Sequence, residues 1–596
     1  MRRRGVLVVF ACGVVVAAVA PAFAQQAGPP AAIVTPSIQV DQDVTPGRMW
    51  TEPQMLADPR DPNVLVIATP EFNTATCYTY ISRDRGRTWA KNSAAIIPPG
   101  YKNCVRPNFG AFFAAKFGID GTLYIAGTAA ATATSSGPND PFVARSSDLG
   151  KTWQYTVVKK SEERDFPKPD GTTARDFERF GYVRLAVSAN NPKLLTVGFR
   201  RQGAFMPVAQ VSERTMVAVS NDGGVTFGPL TDVMEKSFPL TDVKGSDQPG
   251  MAIADDGTIY AFTKERPPLS TVAGPAQAQL PVPPPPANTC KPSSSAPNAP
   301  TWVPTPTTVN PPVAGQPGAG ARLLMSKSTD GGKTWKASVV DSSGIICVPC
   351  LTTPEAAIDH KTGAVYVVWE QSDSGPPGPR DDRNIWFMSS TDGGTTWAKR
   401  QQLNDDVNSP HKPNYDQLAP GVSVAPNGRI DVAWWDFRTD GLYNSSGNGN
   451  TTRRDETCFD IFYTSSSDGG KTWAPNSRVS DRSMNQWEGL ALNPLYDLRG
   501  PVGVASTNEE AYISWSDSRN GSYELPTEDV YMATVIHSER AVAKASDVKG
   551  SSVFLGLAIG LVVAGVAVLA MSARGRSAGE GGGGRTPPAF PPATEP

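Results

Sequence analysis

The chain has 596 residues, a formal net charge of −2 and 19% charged residues. This balance excludes the strongly basic surface that nucleic-acid binding requires, and the length is ample for a large core. With 55 glycines and 55 prolines, the composition favours short strands and many turns over helices. Only three histidines are present, scattered along the chain at His360, His411 and His537, which argues against a His-metal cluster or a Ser-His-Asp triad.

The first predicted element is a signal peptide over residues 1–24. The basic start Arg2–Arg4 is followed by an apolar stretch, and Ala22–Ala24 fits a signal-peptidase site. We therefore expect an exported protein that is cleaved after Ala24. An uncleaved membrane anchor is the alternative.

The phrase S-x-D-x-G-x-T-[WF] recurs six times, and its copies begin at Ser82, Ser146, Ser220, Ser328, Ser390 and Ser466. Repetition at intervals of about 60 to 110 residues indicates an array, a solenoid or a propeller. Each copy lies between two β-like segments, where Asp with Gly signals a hairpin turn.

The residue types in this phrase suit a folding role. The Asp carboxylate can accept backbone N–H groups within the turn, the Gly adopts a backbone conformation that other residues resist, and the aromatic residue anchors a small sheet. We therefore interpret the six aspartates as structural rather than catalytic: Asp84, Asp148, Asp222, Asp330, Asp392 and Asp468.

The phrase resembles the Asp-box, or bacterial neuraminidase (BNR) repeat, of the sialidase superfamily. The resemblance implies an all-β propeller of four-stranded antiparallel blades, with the Asp-boxes far from the active site. It also implies three Arg that clamp a sugar carboxylate, a Tyr nucleophile activated by a Glu, and an Asp acid/base. The chain departs from the family near its first strand, GRMWTEPQMLADPRDP, which has no Arg-Ile-Pro signature and in which Arg48 is the nearest arginine.

The repeat also allows the blades to be counted. Six units carry it, and the clearest is the fourth, with predicted strands at Met251–Ala254, Thr258–Thr263, Arg322–Lys327 and from Thr334. A seventh unit lacks it: Gly500–Gly521 supplies two strands and Asp529–Val535 a third. Since an open sheet edge invites aggregation, we expect Ile33–Asp41 to complete this blade as its outer strand. Seven blades are favoured, and six, as in sialidases, is the alternative.

We expect the propeller to span residues 25–538, with a Pro-rich insert at 267–320 that cannot bury a core. Six cysteines remain after the predicted cleavage, and an even number in an exported protein suggests disulfides. We expect Cys77 to pair with Cys104. The other pairings stay open: a tight disulfide within Cys347-x-x-Cys350, or bonds to Cys290 or Cys458. A zinc site is the alternative.

The C-terminal region is predicted to anchor the protein. After a linker at 539–552, the apolar run Val553–Met571 has 19 residues, which as a helix would span roughly 28 Å, about one bilayer core. We predict a transmembrane helix here and a disordered cytoplasmic tail at 572–596. Gly556 and Gly560 form a GxxxG pair, a pattern that favours self-association of transmembrane helices.

In propellers, the connections after the second and fourth strands of each blade line the channel mouth, opposite the repeat turns. At this position the chain carries W-x-D-x-R twice, and the two interpretations are an arginine that contacts a ligand and a salt bridge between blades. Our ligand-binding candidates are Arg184, Arg438, Arg519 and Asp517. Our catalytic candidates are Tyr415, Glu488 and Asp436, and further candidates are Asp416, Tyr496 and Glu178.

The sequence therefore predicts a membrane-anchored, extracellular, sialidase-like propeller that binds glycans at its channel mouth. Whether it also hydrolyses them, as an exo-sialidase-type glycosidase, stays open. The alternative is a non-catalytic propeller that acts as a protein-interaction or assembly scaffold. We expect a glycan or a cell-surface protein as the partner, and no cofactor or metal. Calcium lacks support because no run of Asp and Asn has calcium-loop spacing.

Overall fold

The computed structural model describes residues 32–43, 45, 47–105, 113–131, 138–167, 172–202, 214–234, 249–265, 290, 322–342, 354–372, 383–406, 416–439, 458–485, 500–522, 525 and 527–537. The chain divides into two compact units, Met1–His537 and Ser538–Pro596, and all described residues belong to the first. These residues form β-strands and turns, and no α-helix occurs among them.

The strands are short, as the glycine and proline content predicted, and they pair antiparallel within each sheet. In chain order they are β1 (Ile33–Val34), β2 (Ile38–Gln39), β3 (Gln54–Ala57), β4 (Leu65–Glu71), β5 (Thr76–Ser82), β6 (Ala90–Lys91), β7 (Ala114–Phe117), β8 (Leu123–Ala129), β9 (Asp140–Ser146), β10 (Gln154–Val157), β11 (Glu163–Pro167), β12 (Thr173–Phe177), β13 (Arg179–Val187), β14 (Leu195–Gln202), β15 (Arg214–Ser220) and β16 (Thr231–Asp232). They continue with β17 (Gly250–Ile253), β18 (Ile259–Lys264), β19 (Leu323–Ser328), β20 (Lys336–Asp341), β21 (Glu355–Asp359), β22 (Ala364–Ser372), β23 (Arg383–Ser390), β24 (Gln401–Gln402), β25 (Gln417–Val424), β26 (Ile430–Asp436), β27 (Cys458–Ser466), β28 (Ser477–Arg478), β29 (Met484–Asn485), β30 (Gly503–Ser506), β31 (Glu510–Asp517) and β32 (Asp529–Ile536).

These strands build seven blades. Blades 1 to 6 are β3–β6, β7–β10, β13–β16, β17–β20, β21–β24 and β25–β28, and the hairpin β11–β12 lies between blades 2 and 3 in the sequence. Blade 7 consists of β30, β31 and β32 with β1 as its outer strand, while β2 also pairs with β32. The innermost strands contact one another in blade order, and β3 contacts β30. The ring is therefore a closed seven-bladed propeller, and the predicted count of seven is confirmed.

The N-terminal strand completes the last blade, as predicted. Ile33 lies opposite Ile536, and Ile38 lies opposite Met532. The backbone N–H of Thr35 donates to the carbonyl of Thr534 at 2.9 Å. The first strand of the propeller is thus hydrogen-bonded along the last, which leaves β32 no open edge there.

Apolar side chains fill the spaces between the blades. Seven hydrophobic clusters are found in the described part of the chain, and each joins two adjacent blades. Strands inside a blade are therefore covered on both faces, so Leu65–Glu71 and Ile430–Asp436 are buried along their whole length. This explains why their sequences read as apolar runs rather than as alternating patterns.

The repeat turns join each blade to its predecessor. In the turn of blade 6, Ser466 Oγ donates to Asp468 Oδ1 at 2.8 Å, and Thr472 Oγ1 donates to Asp468 Oδ2 at 2.6 Å. The same bonds recur in the other five turns. Gly470 has φ +84°, and a Cβ there would lie 2.4 Å from Phe387 of blade 5. The glycine therefore serves both the turn and the close approach of two blades.

Two disulfides lie among the described residues. Cys77 is bonded to Cys104, the pair favoured by the sequence. Cys290, in the insert between β18 and β19, is bonded to Cys458 at the start of β27, one of the pairings left open. No described residue belongs to a helix long and apolar enough to cross a membrane. The following predictions lie outside the described residues: the signal peptide 1–24, the insert 267–320 apart from Cys290, the C-terminal segments 539–552, 553–571 and 572–596, and Cys347, Cys350, Tyr415, Glu488, Tyr496, Gly556 and Gly560.

Candidate functional site

The two faces of the propeller differ in what their connections carry. The repeat turns join the third and fourth strands of blades 1 to 6, so they occupy one face. Because the strands alternate in direction, the first residues of each innermost strand lie near the opposite face. Among the described residues on or just before the innermost strands, Glu52, Lys116, Arg184 and Glu355 are charged and act on one another electrostatically.

Glu52 lies at the start of blade 1, two residues before β3, and is completely buried. Its Oε2 accepts the backbone N–H of Phe113 of blade 2 at 3.2 Å. Its side chain packs on Gly500 before blade 7, where a Cβ would lie 2.1 Å from Glu52 Cγ. No described residue donates a hydrogen bond to Oε1. This carboxyl group therefore has one oxygen bound by a backbone N–H and one without a partner among the described residues.

Burial raises the pKa of Glu52 well above its usual value. The positive charge of Arg184 opposes this shift, and the negative charge of Glu355 adds to it. Glu52 is therefore protonated well above the pH at which a glutamate ordinarily ionises, and it can donate a hydrogen bond or a proton from a dry position.

Arg184 and Glu355 form an ion pair across the hub. Arg184 Nε lies 2.8 Å from Glu355 Oε1, and Arg184 Nη1 donates to the carbonyl of Val183 at 3.0 Å. Arg184 belongs to β13 of blade 3 and Glu355 to β21 of blade 5. Since blade 4 separates them in the ring, the pair links two blades that are not neighbours.

Lys116 supplies a second cation to the channel. It belongs to β7, the innermost strand of blade 2, yet its side chain is exposed. An exposed residue on an innermost strand indicates that the channel is open to water. The ring of strands nevertheless encloses the amino group, and this desolvation lowers the pKa of Lys116, while Glu355 opposes the shift and Arg184 adds to it.

We call Glu52, Lys116, Arg184 and Glu355 the channel cluster. It combines a buried carboxyl group whose pKa is raised, a carboxylate held by a guanidinium group, and an amine on an exposed side chain. Arg184 was among the predicted ligand-binding residues, whereas the other three were missed. The available signal was a charged residue on, or just before, the innermost strand of an otherwise apolar blade, as in WTEPQML, FAAKF and PEAAID.

The two W-x-D-x-R copies have the same geometry. Trp434 Nε1 donates to Asp436 Oδ2 at 2.8 Å, and Arg438 Nη2 lies 2.8 Å from the same oxygen. Arg438 also forms an ion pair with blade 5, in which its Nη1 lies 2.6 Å from Asp405 Oδ1. The guanidinium group also lies 4.4 Å from the centre of the Phe462 ring, in cation–π geometry.

In blade 7, Trp515 Nε1 donates to Asp517 Oδ2 at 2.7 Å, and Arg519 binds both oxygens of Asp517 at 2.9 and 2.7 Å. Arg519 also reaches Asp481, which follows β28 of blade 6, at 2.8 Å. Each arginine thus bridges its own blade to the preceding one. This geometry favours the blade-to-blade interpretation of the motif over ligand contact.

The remaining described candidates also lie in internal ion pairs. Asp436 is completely buried, and burial raises its pKa while Arg438 opposes the shift. Asp416 pairs with the buried Arg383, and Glu178 pairs with Arg201 at 2.8 Å. Within the described ranges, no three His, Cys, Asp or Glu side chains are arranged to hold a metal ion.

The closed ring and its polar lumen define the class: a seven-bladed propeller with a charged channel cluster. No protein-family model matches the chain, and no curated protein resembles its sequence. Solved structures resemble it only distantly. A Dyadobacter fermentans protein of unknown function has 11% identity and a TM-score of 0.39, and the match covers 86% of this chain and 100% of that one.

Two enzymes are similarly distant. Penicillium chrysogenum α-L-arabinanase, solved with arabinobiose, has 12% identity and a TM-score of 0.38 over 85% of this chain and 98% of that one. Trypanosoma rangeli sialidase, solved with the inhibitor DANA, has 9% identity and a TM-score of 0.35 over 77% of this chain and 57% of that one. These values are too low to transfer a residue role or an activity to this chain.

Proposed function

We propose that the propeller binds a glycan at the mouth of its channel and hydrolyses a glycosidic bond there. The observation that carries the proposal is the pair of carboxyl groups in contrasting environments, Glu52 and Glu355. Glu52 is buried and neutral with one oxygen unpartnered by described residues, whereas Glu355 is ion-paired with Arg184. Two carboxyl groups in distinct environments are the recurring equipment of glycoside hydrolysis.

In this proposal Glu52 is the general acid. It protonates the glycosidic oxygen while the bond between the anomeric carbon and that oxygen breaks, so the leaving sugar departs as a neutral alcohol. Glu355 supplies the negative charge that stabilises the oxocarbenium-like transition state or activates the attacking water. Arg184 orients Glu355 through their ion pair, and Lys116 adds a hydrogen-bond donor to the lumen.

The location of the activity is part of the proposal. The predicted signal peptide and the apolar run Val553–Met571 support an extracellular propeller anchored by a C-terminal helix. The Asp-box resemblance of the repeat turns supports a sialidase-like function. If the activity is of the sialidase type, we expect it to depend on Tyr415 and Glu488, the catalytic candidates from the sequence.

The test is a panel of fluorogenic sialosides, arabinosides and hexosides incubated with the purified full-length protein, together with a glycan array. Glu52→Gln should reduce the rate of hydrolysis by about 10²- to 10⁴-fold, the usual contribution of a general acid. Binding to the glycan array should stay intact. The matched control is Glu509→Gln, because Glu509 pairs with Arg85 at 3.0 Å on the face opposite the channel mouth. Hydrolysis that survives Glu52→Gln would remove this residue from the mechanism.

The second candidate function is a non-catalytic scaffold. It is favoured by the ion pairs of Arg438 and Arg519, since both guanidinium groups already have carboxylate partners within the ring. A wild-type protein that binds array glycans without cleaving any of the panel would be a lectin-like propeller. A protein that does neither would contradict the glycan proposal and favour the scaffold.

A further inference from the structure

Two aspartates face each other where the ring closes. In the pairing of β2 with β32, Ile38 lies opposite Met532 and Gln39 opposite Tyr531. The next backbone bond, from the N–H of Val40 to the carbonyl of Val530, is 2.8 Å long. The same register places Asp41 opposite Asp529. Like charges directly opposite on neighbouring strands are destabilising when both are ionised.

The hydrogen bonds of this pair leave a place for one proton. Gln39 Nε2 donates to Asp41 Oδ1 at 3.1 Å, and Asn520 Nδ2 donates to Asp529 Oδ2 at 2.7 Å. The other two oxygens, Asp41 Oδ2 and Asp529 Oδ1, are buried and receive no donor from the described residues. The register places the two carboxyl groups on directly opposite residues, so the two oxygens without a donor belong to neighbouring side chains. Because a carboxylate only accepts hydrogen bonds, a bond between these side chains requires that one of them be protonated.

Among the described residues, no cation forms an ion pair with Asp41 or Asp529. Asp517, opposite Asp529 on β31, is already bound by Arg519 at 2.7 Å. Lys91 points its amino group at aromatic rings instead, 3.9 Å from the centre of Tyr78. The titratable and charged groups that act on the pair or lie beside it are Asp43, Arg48, Tyr80, Lys91, Asp517, Arg519 and Tyr531.

We propose that Asp41 and Asp529 share a proton that holds the N-terminal strand against β32, and that loss of this proton releases the strand and opens the ring. The aspartate pair is distinct from the channel cluster, since it lies on the outer strands of blade 7. Its effect is to make the closure of the propeller depend on pH.

The direction of the pH dependence follows from the pKa shifts of the two aspartates. Burial, with a further contribution from the charge of Asp529, raises the pKa of Asp41 from 3.8 to about 8. Burial also raises the pKa of Asp529 to about 6. Pairing of the N-terminal strand with β32 therefore takes up a proton, and release of the strand gives this proton up. The stabilising effect of the shared proton is complete below about pH 4 and is lost as the pH rises towards 8.

A proton fits this place better than a metal ion. Calcium takes six to eight oxygen ligands, and the described residues at the seam leave two carboxylate oxygens without a partner. The distinction can be tested, because a bound cation would favour closure at high pH, where a shared proton is lost.

The experiment is hydrogen exchange of the N-terminal strand in the full-length protein at pH 6, 7 and 8, corrected for the intrinsic exchange rate. The reporters are the amides of Thr35 and Val40, which donate to β32. We expect the opening constant of this strand to rise about tenfold per pH unit in the wild type, because one proton is released on opening.

Asp41→Asn should remove this pH dependence, because the amide donates permanently to Asp529. The matched control is Asp43→Asn, which makes the same charge change two residues away, where hydrogen bonds from Thr45 and the charge of Arg48 outweigh burial and lower the pKa of the carboxyl group. This control should keep the wild-type slope. A flat wild-type profile, or a slope that persists in Asp41→Asn, would overturn the proposal. Protection at pH 8 that millimolar calcium restores in the wild type but not in Asp41→Asn would also overturn it, in favour of a cation site.

Discussion

The repeat turns and the channel cluster use the same functional group in opposite ways. In the turns, exposed or partly exposed aspartates accept several hydrogen bonds, and bonds from Thr152 and Ser146 lower the pKa of Asp148 to about 2. In the channel, burial raises the pKa of Glu52 well above its usual value. A carboxylate surrounded by donors stabilises a fold, whereas a carboxyl group without them is available for chemistry. Environment, rather than residue type, therefore separates the carboxylates of the repeat turns from the carboxyl group for which we propose a function.

The largest effect is expected where a repeat turn meets the neighbouring blade. Gly470→Ala should lower the free energy of unfolding by about 2–4 kcal/mol, since φ is +84° and the new Cβ would lie 2.4 Å from Phe387. The adjacent Gly469→Ala is the control: φ is +76°, but the nearest atom is 3.6 Å away, so only backbone strain of about 1–2 kcal/mol is expected. Chemical denaturation measures both. Equal losses of unfolding free energy in the two variants would show that the contact between Gly470 and Phe387 does not contribute to stability.

A smaller effect is expected from replacing a turn aspartate with its isosteric amide. Asp148→Asn should destabilise the propeller by about 0.5–1.5 kcal/mol at pH 7, because the amide nitrogen cannot accept the bonds of a carboxylate oxygen, while partial exposure to solvent limits the loss. The lowered pKa means that the wild-type contribution is complete above about pH 4 and is lost as the pH falls through 2. Thermal melts of both proteins should therefore converge near pH 2. A constant difference from pH 7 to pH 2 would contradict the role of the charge.

The smallest effect is expected from the same exchange in the channel. Glu52→Gln should change the stability by less than about 1 kcal/mol at pH 5, because the carboxyl group is already neutral. Since the raised pKa makes the wild type lose stability as the pH rises, the variant should become relatively more stable towards pH 8, the opposite sign to Asp148→Asn. Melting curves at the two pH values test this. A destabilised variant at both would mean that Glu52 is ionised in the fold.

Much of the fold was predictable, because a hairpin turn is a local structure. The repeated phrase located the turns, and the predicted strands of the fourth unit differ from β17, β18 and β19 by one residue at each end. The closing role of Ile33–Asp41 followed from the incomplete last blade. These inferences needed local periodicity, the four-stranded blade that the Asp-box resemblance implies, and the rule that sheet edges are covered.

The candidate site was predictable only in part. The members of the channel cluster come from four blades, and about 300 residues separate Glu52 from Glu355, so their convergence depends on how the whole ring closes. The W-x-D-x-R arginines were conspicuous in the sequence, but their partners Asp405 and Asp481 come from the preceding blades. A motif shows which side chains can act together locally, and it does not show which neighbour has already bound them.

The pairing of β1 with β32 also sets the order in which the protein can be completed. During synthesis Ile33 emerges roughly 500 residues before its partner Ile536, so blade 7 cannot form until nearly the whole propeller has been made. Blades 1 to 6 are each built from strands that are consecutive in the chain. Folding should therefore end with the pairing of β1 and β32 as a single late step. A chain whose synthesis stops before β32 would contain blades 1 to 6 and an unpaired N-terminal strand.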